Sequence, residues 1–332
     1  MKAPEFKPTE AVLSGETADV YFTYTMEILR REGINPVATM EVFPSRAGIL
    51  CGMEEVKALL TRVLPKNRSE VWALSEGEVM DHKEVVLRVT APYQSYGLYE
   101  TAIVGILAHC SGWATAARQC VDVARGIPII SFGARHVHPS VAGVMDYSAI
   151  VGGCTGCSSS SGANLASIQP SGTMPHAMIL IMGDTVEATL AFDKYMPPEL
   201  PRTSLVDTFK DEAEESLRVA EALRDRLGAV RLDTPSERGR VTTDLVKEVR
   251  VRLDMAGFNH VEIIVSGGID PERILYFLGS GAPVDGFGVG SYISGGRPID
   301  FTADLHEVDS MPIAKRGRTP GVTSNPRLKR VP

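Results

Sequence analysis

The chain has 332 residues and a mass of 35.8 kDa, more than one hydrophobic core comfortably fills, so two domains or one enlarged barrel are expected. Hydrophobic residues at 44% and charged residues at 23% exclude a mostly disordered chain, a collagen-like chain and a disulfide scaffold. A formal net charge of −7 argues against a nucleic-acid coat protein.

Met1 to Glu10 alternates charge and proline and carries no signal-peptide core. Asp19 to Arg31 reads as a helix stopped by Gly33, with Tyr21, Phe22 and Tyr24 at a spacing more usual for core than for a ligand platform. Val37–Phe43 reads as a strand, Met53–Leu64 as a helix ended by Pro65, and Glu70–Leu74 and Val85–Val89 as strands. Two helices follow, Leu98–His109 and Trp113–Arg125, separated by Ser111-Gly112. From Ile127 the rhythm changes. Ile127–Phe132, Ala149–Gly152, Ile168–Gly172, Ser204–Val206, Ala229–Asp233, Val261–Ser266 and Asp285–Gly290 are short apolar runs suited to strands. Between them lie helices at Asp211–Leu227 (supported by a Glu214–Arg218 pair), Thr242–Met255 and Pro271–Leu278. Such alternation predicts parallel strands joined by right-handed crossovers, and about seven strands favour a closed or nearly closed α/β barrel. No apolar run approaches the roughly 20 residues of a membrane-spanning helix. Five cysteines point to a reducing compartment, with the cytoplasm as the default. The last stretch, from Met311, holds six basic residues and no acidic one, which leaves −13 on the rest of a chain whose total is −7.

Five motifs carry chemistry. In VEIIVSGGID and DGFGVGSYI an apolar strand runs straight into glycines: Gly267 and Gly268 before the Asp270-Pro271 helix start, then Gly288, Gly290 and Ser291. Backbone N–H groups there can approach an anion, and consecutive strand-end loops late in a β/α barrel commonly hold phosphate; two tight turns without ligand are the plainer account. SFGARHVHP places Arg135, His136 and His138 after a strand, where an arginine suits a carboxylate or phosphate or else a structural ion pair. Two histidines at i and i+2 lack a third ligand at short range for a metal. GTMPHA sets His176 after Ser171, Gly172 and Thr173. VRLDT puts Arg231 and Asp233 on one face of a strand, either gripping one ligand at two points or forming a salt bridge. Cys154 and Cys157 lack the second pair a zinc site needs, and their small neighbours suit close packing.

Taken together, TADVYF, ALSEGEV, YETAIVGIL, SFGARHVHP, GTMPHA, VRLDTPSERG, SGGID, GFGVGS and KRGR occur in family order and resemble nicotinate phosphoribosyltransferases of the shorter archaeal and bacterial type. The resemblance implies the type II phosphoribosyltransferase fold: an N-terminal open-faced α/β domain over residues 1–110, completed by 297–332, and an irregular seven-stranded α/β barrel over 111–296. It implies a homodimer or higher homo-oligomer, with each active site shared between one subunit's barrel and its neighbour's N-terminal domain. The implied reaction joins nicotinate to 5-phosphoribosyl-1-pyrophosphate, giving nicotinate mononucleotide and pyrophosphate in NAD salvage. ATP is a co-substrate that the histidine permits without requiring.

Carried over one at a time, Tyr21 matches the tyrosine that stacks on the pyridine ring. Arg135 with His136, Thr173 and Arg231 match the nicotinate and phosphoribosyl site. His176 matches the histidine phosphorylated when ATP is used, Asp233 faces the ribose, and Gly267, Gly268, Gly290 and Ser291 form the 5-phosphate loops. His176, Asp233 and Arg231 are the expected catalytic set. Mg²⁺ is expected with the pyrophosphate donor, and no zinc, nucleic acid or membrane partner is expected. Many relatives have Arg-Arg where this chain has Arg135-His136, and the better-known members have Asp-Ser-Gly-Asp where it has Asp233-Thr-Pro-Ser. The alternatives are another type II phosphoribosyltransferase, acting on nicotinamide or quinolinate, and a non-catalytic homologue that binds phosphoribosyl ligands. Lys315, Arg316 and Arg318 are expected to fold back toward the pyrophosphate.

Overall fold

A computed structural model describes residues 4–332. The chain divides into two compact units, residues up to Ala116 together with Gly296–Pro332, and Ala117–Gly295. Among the described residues no helix is long and apolar enough to cross a membrane.

The first unit is built on a six-stranded sheet in the order Met311–Pro312, Phe301–Val308, Val37–Pro44, Leu87–Pro92, Glu70–Ala73, Lys329–Arg330. Every pairing in it is antiparallel. One face buries Met40, Val42, Val71, Val89 and other apolar residues, with Leu59 and Leu60 of the helix Met53–Val63 in the same core. Glu41 is wholly buried in the central strand. It accepts from Arg88 Nε at 2.7 Å and from the backbone N–H of Thr323 at 3.0 Å. A buried carboxylate must be paired or it costs several kcal/mol, on the order of 3–5 when a partner is removed. This pairing ties the C-terminal segment to the middle of the sheet.

Two expectations fail in this unit. Ser111-Gly112 does not separate two helices, because one helix runs from Glu100 to Ala124. Gly112 is a contact residue, since a methyl there would fall 2.5 Å from the Arg297 carbonyl oxygen. Ser111 Oγ accepts from the Cys51 backbone N–H at 3.0 Å. The pair that resembles a helix stop is a packing notch. Nor are the tyrosines of the first long helix, Val20–Glu32, core residues: Tyr21 and Tyr24 are 57% and 60% exposed, and only Phe22 of that helix is buried.

The second unit holds six parallel strands in the order Gly156–Cys157, Ile129–Ser131, Gly286–Val289, Glu262–Val265, Ala229–Leu232, Thr203–Leu205. Chain order therefore runs round a curled sheet with one break, between Cys157 and Thr203. Six strands form this sheet among the described residues where seven were expected. Ile168–Gly172 is not a strand, although the Ser171 N–H donates to the Cys157 carbonyl at 2.8 Å beside that break. Ala149–Gly152 is the end of a helix, Pro139–Val151, started by His138 as cap and Pro139 at its first position. Its buried residues, Gly143 and Met145–Ala149, run round the helix, and periodicity alone cannot tell this from a buried strand.

The crossover helices carry the starts read in the sequence. Asp211 caps Glu212–Leu223, Thr242 caps Thr243–Met255, and Asp270 accepts from the Arg273 N–H at 2.8 Å ahead of Pro271–Gly279. The expected Glu214–Arg218 pair is replaced. Arg218 bonds the buried Glu215 at 2.8 Å and Asp184 at 2.7 Å, while Glu214 pairs with Lys210. A buried carboxylate competes for the guanidinium better than a hydrated one does.

Candidate active site

All six parallel strands deliver residues at their C-terminal ends into one cavity of about 700 Å³. Ten of the eleven residues expected from the sequence line it: Arg135, His136, Thr173, His176, Arg231, Asp233, Gly267, Gly268, Gly290 and Ser291. The eleventh, Tyr21, lies on the exposed face of a helix in the other unit.

Arg231 and Asp233 point to the same side of their strand because side chains alternate. Arg231 Nη2 donates to Asp233 Oδ2 at 2.8 Å, and its Nε donates to Ser266 Oγ at 2.8 Å. Ser266 Oγ in turn donates to Asp233 Oδ1 at 2.7 Å. Arg231 Nη1 reaches Thr173 Oγ1 at 3.5 Å, and its guanidinium lies 4.9 Å from the centre of the Phe132 ring. The arginine is thus held by a carboxylate, a hydroxyl and an aromatic face, and the carboxylate is fixed at both oxygens. Such a fixed negative charge suits a site where positive charge develops, because no reorganisation is needed at the moment of reaction.

The glycines create space. Gly267 and Gly268 have φ of +85° and +68°, a conformation that side chains disfavour. At Gly290 a methyl would stand 3.0 Å from His136 Nε2. His136 therefore stands beside the Gly290-Ser291 loop, and Arg135 is exposed with no ion pair or hydrogen bond among the described residues.

His176 begins the helix His176–Met182, and its Nε2 shares a hydrogen bond of 3.0 Å with Asp207 Oδ2. Asp207 has a side chain only 1% exposed. Burial holds its carboxyl above the usual carboxylate range, against the pull of the His176 bond in the other direction. Its other oxygen has no partner among the described residues. A histidine ring nitrogen oriented by a buried carboxylate leaves the opposite nitrogen available as base or nucleophile. Sequence reasoning missed Asp207, and also Ser266 and Phe132. The available signal was position: each directly follows or ends one of the short strands.

No group of three or more His, Cys, Asp or Glu that could hold a metal occurs among the described residues. Asp233 is the one carboxylate lining the cavity. Magnesium is commonly held by one or two carboxylates plus substrate phosphates, so the set fits a metal that arrives with a pyrophosphate. The five cysteines are buried and form no disulfide, and burial pushes Cys157 up to about 12, far from a reactive thiolate.

The profile of the quinolinate phosphoribosyl transferase N-terminal domain matches residues 19–111, and that of the C-terminal domain matches residues 113–304. A nicotinate phosphoribosyltransferase of Mycobacterium tuberculosis is 33% identical over 227 residues, 68% of this chain and 48% of that one. Another from Bacillus subtilis is 30% identical over 226 residues, 66% and 44% of the two chains. The matches thus span about half the length of these curated relatives. The crystal structure of a nicotinate-nucleotide pyrophosphorylase from Pyrococcus furiosus superposes with a TM-score of 0.87 at 40% identity, covering 100% of this chain and 86% of the other.

Proposed function

This chain belongs to the quinolinate phosphoribosyltransferase family, and we propose on that premise that it forms nicotinate mononucleotide and pyrophosphate from nicotinate and 5-phosphoribosyl-1-pyrophosphate. The observation that carries the choice of pyridine is the inventory of cavity cations. Two arginines line it, Arg231 is already bound to Asp233 and Ser266, and a third, Arg240, lies over the Gly268 loop, so Arg135 is the one left to meet a carboxylate. One free arginine suits a pyridine with one carboxylate; quinolinate, with two, would want more, and nicotinamide needs none.

In this reading the pyridine nitrogen attacks C1 of the ribose as pyrophosphate departs. Asp233 faces the positive charge that builds on the sugar, and Arg231 holds Asp233 in place. The glycine loops receive the 5-phosphate through backbone N–H groups, with Ser291 at the start of a short helix. Mg²⁺, when bound with the donor, neutralises the leaving pyrophosphate. His176, oriented by Asp207, serves as the phosphate acceptor when ATP is present. Tyr21, exposed beside Val20, Tyr24 and Ile28, belongs in this reading to an interface of a homodimer and stacks on the pyridine bound by the neighbouring subunit.

A second reading, quinolinate as substrate with release of carbon dioxide, is favoured by the two matching profiles and by the name of the 40% identical structure. Product analysis with nicotinate, nicotinamide and quinolinate, each with and without ATP, decides. Pyrophosphate released with nicotinate alone supports the proposal, and release with quinolinate alone replaces it.

A further inference from the structure

Arg240 was not among the expected site residues, yet it lies on the glycine loop. A methyl group added to Gly268 would fall 1.5 Å from Arg240 Nη1 and 2.7 Å from its Cζ. The guanidinium thus occupies the space that a side chain at Gly268 would need. Arg240 is also one of the few non-glycine residues with positive φ, at +64°. That backbone conformation is disfavoured for a residue with a side chain and persists where the surroundings impose it. Here the imposing structure is the short turn Ser236–Arg238, with the Arg240 N–H bonded to the Pro235 carbonyl at 3.1 Å. The side chain is exposed, and among the described residues it has neither an ion pair nor a hydrogen bond.

A second arginine stands close by. Arg273 sits in the first turn of the helix Pro271–Gly279, donates through Nη2 to the Val241 carbonyl at 2.8 Å, and has a buried Nε without a partner. Burial, and next the charge of Arg240, hold Arg273 below its ordinary value. Asp270, whose charge acts on Arg273 in the opposite direction, is occupied as the helix cap through Oδ1. Two mutually repelling guanidiniums at a glycine loop and a helix start lack only an anion to relieve them.

We propose that Arg240 is a substrate-binding residue that closes over the phosphate monoester of the phosphoribosyl group on the Gly267-Gly268 loop. The inference rests on the phosphoribosyl reading of the cavity and adds a residue to it. Arg238 supplies the internal control, because it lies on the same turn, is exposed, and faces Glu212 at 3.6 Å instead of the loop.

The test is calorimetric titration of the full chain with ribose 5-phosphate, alongside steady-state kinetics with the phosphoribosyl donor. A charge-assisted hydrogen bond to phosphate is worth about 1.5–3 kcal/mol, or about 10- to 100-fold in affinity. Arg240→Ala should weaken ribose 5-phosphate by that factor and raise the donor KM while kcat and the nicotinate KM change little. Arg240→Lys should recover part of the loss, and Arg238→Ala should match the wild type. Equal binding by Arg240→Ala and wild type, or an equal loss in Arg238→Ala, overturns the proposal. So does failure of the wild type to bind ribose 5-phosphate. If binding depends on Arg240 but no pyridine acid is turned over, the inference stands and the nicotinate reading falls.

Discussion

The basic tail of the first unit and two arginines of the second stand in opposite circumstances. In the first unit the basic tail is almost fully matched: Lys315 and Arg318 bond Asp304, Arg327 bonds Glu78 and Glu84, Lys329 faces Glu78, and Arg330 faces Glu70. In the second, Arg135 and Arg240 face the cavity and its glycine loop with no carboxylate of their own. The difference separates cations that fasten the chain to itself from cations kept open for a ligand. Of the three residues expected to fold back toward pyrophosphate, Lys315 and Arg318 pair with Asp304.

The largest effect should come from the charge that is fixed at both oxygens. Asp233→Asn should lower kcat for pyrophosphate release by about 10²–10³-fold, the usual cost of removing one preorganised electrostatic group, with thermal midpoint little changed. Activity near wild type would remove Asp233 from the reaction. Arg135→Ala should raise the nicotinate KM about 10- to 100-fold at nearly constant kcat, and an unchanged KM would show that the open cation is not the carboxylate's partner.

Next comes a stability effect in the first unit. Glu55 is pushed up to about 7 from an ordinary 4.5, first by burial and then by the charge of Glu76. The folded state therefore holds that proton more tightly than the unfolded state. Its contribution is complete below about pH 4.5 and is lost as the pH rises through about 7. Glu55→Gln should stabilise the protein by about 1–3 kcal/mol at pH 8 and by little at pH 4.5. Urea midpoints at the two pH values measure this, and a gain equal at both would contradict it. Smallest of all, Arg327→Ala should cost about 0.5–1 kcal/mol, since the arginine is partly exposed, and leave kinetics unchanged. Removing Lys315, Arg316 and Arg318 together should leave the donor KM within about twofold; a large rise would erase the distinction between the two sets of cations.

Much of the site was legible because its signals are local. Strand-end glycines, an arginine and an aspartate two apart on a strand, and Asp270-Pro271 at a helix start each fit inside a few residues, and the crossovers then bring them together. What escaped depends on distant partners. Ser111-Gly112 resembles a helix stop unless the approach of Arg297 is known, and Pro139–Val151 hides its period because its buried residues run round the helix. Asp207 is an ordinary loop aspartate until His176, 31 residues earlier, is placed 3.0 Å away. Arg240 gave no signal in sequence, since its position follows from a turn that reverses the chain onto Gly268.

The pairing of Val37–Pro44 with Phe301–Val308 also dictates an order of events during synthesis. The Thr39 hydroxyl finds Glu307, 268 residues later, and Glu41 waits for the Thr323 N–H. On the ribosome the first unit's sheet stays open on both sides until the whole second unit has been made, because Lys329–Arg330 pairs with the opposite edge, Glu70–Ala73. The central strand, its buried carboxylate still lacking the Thr323 donor, is then an exposed edge throughout most of translation. Free chains truncated near residue 296 should accordingly contain a protease-resistant second unit and a first unit that is still readily cleaved.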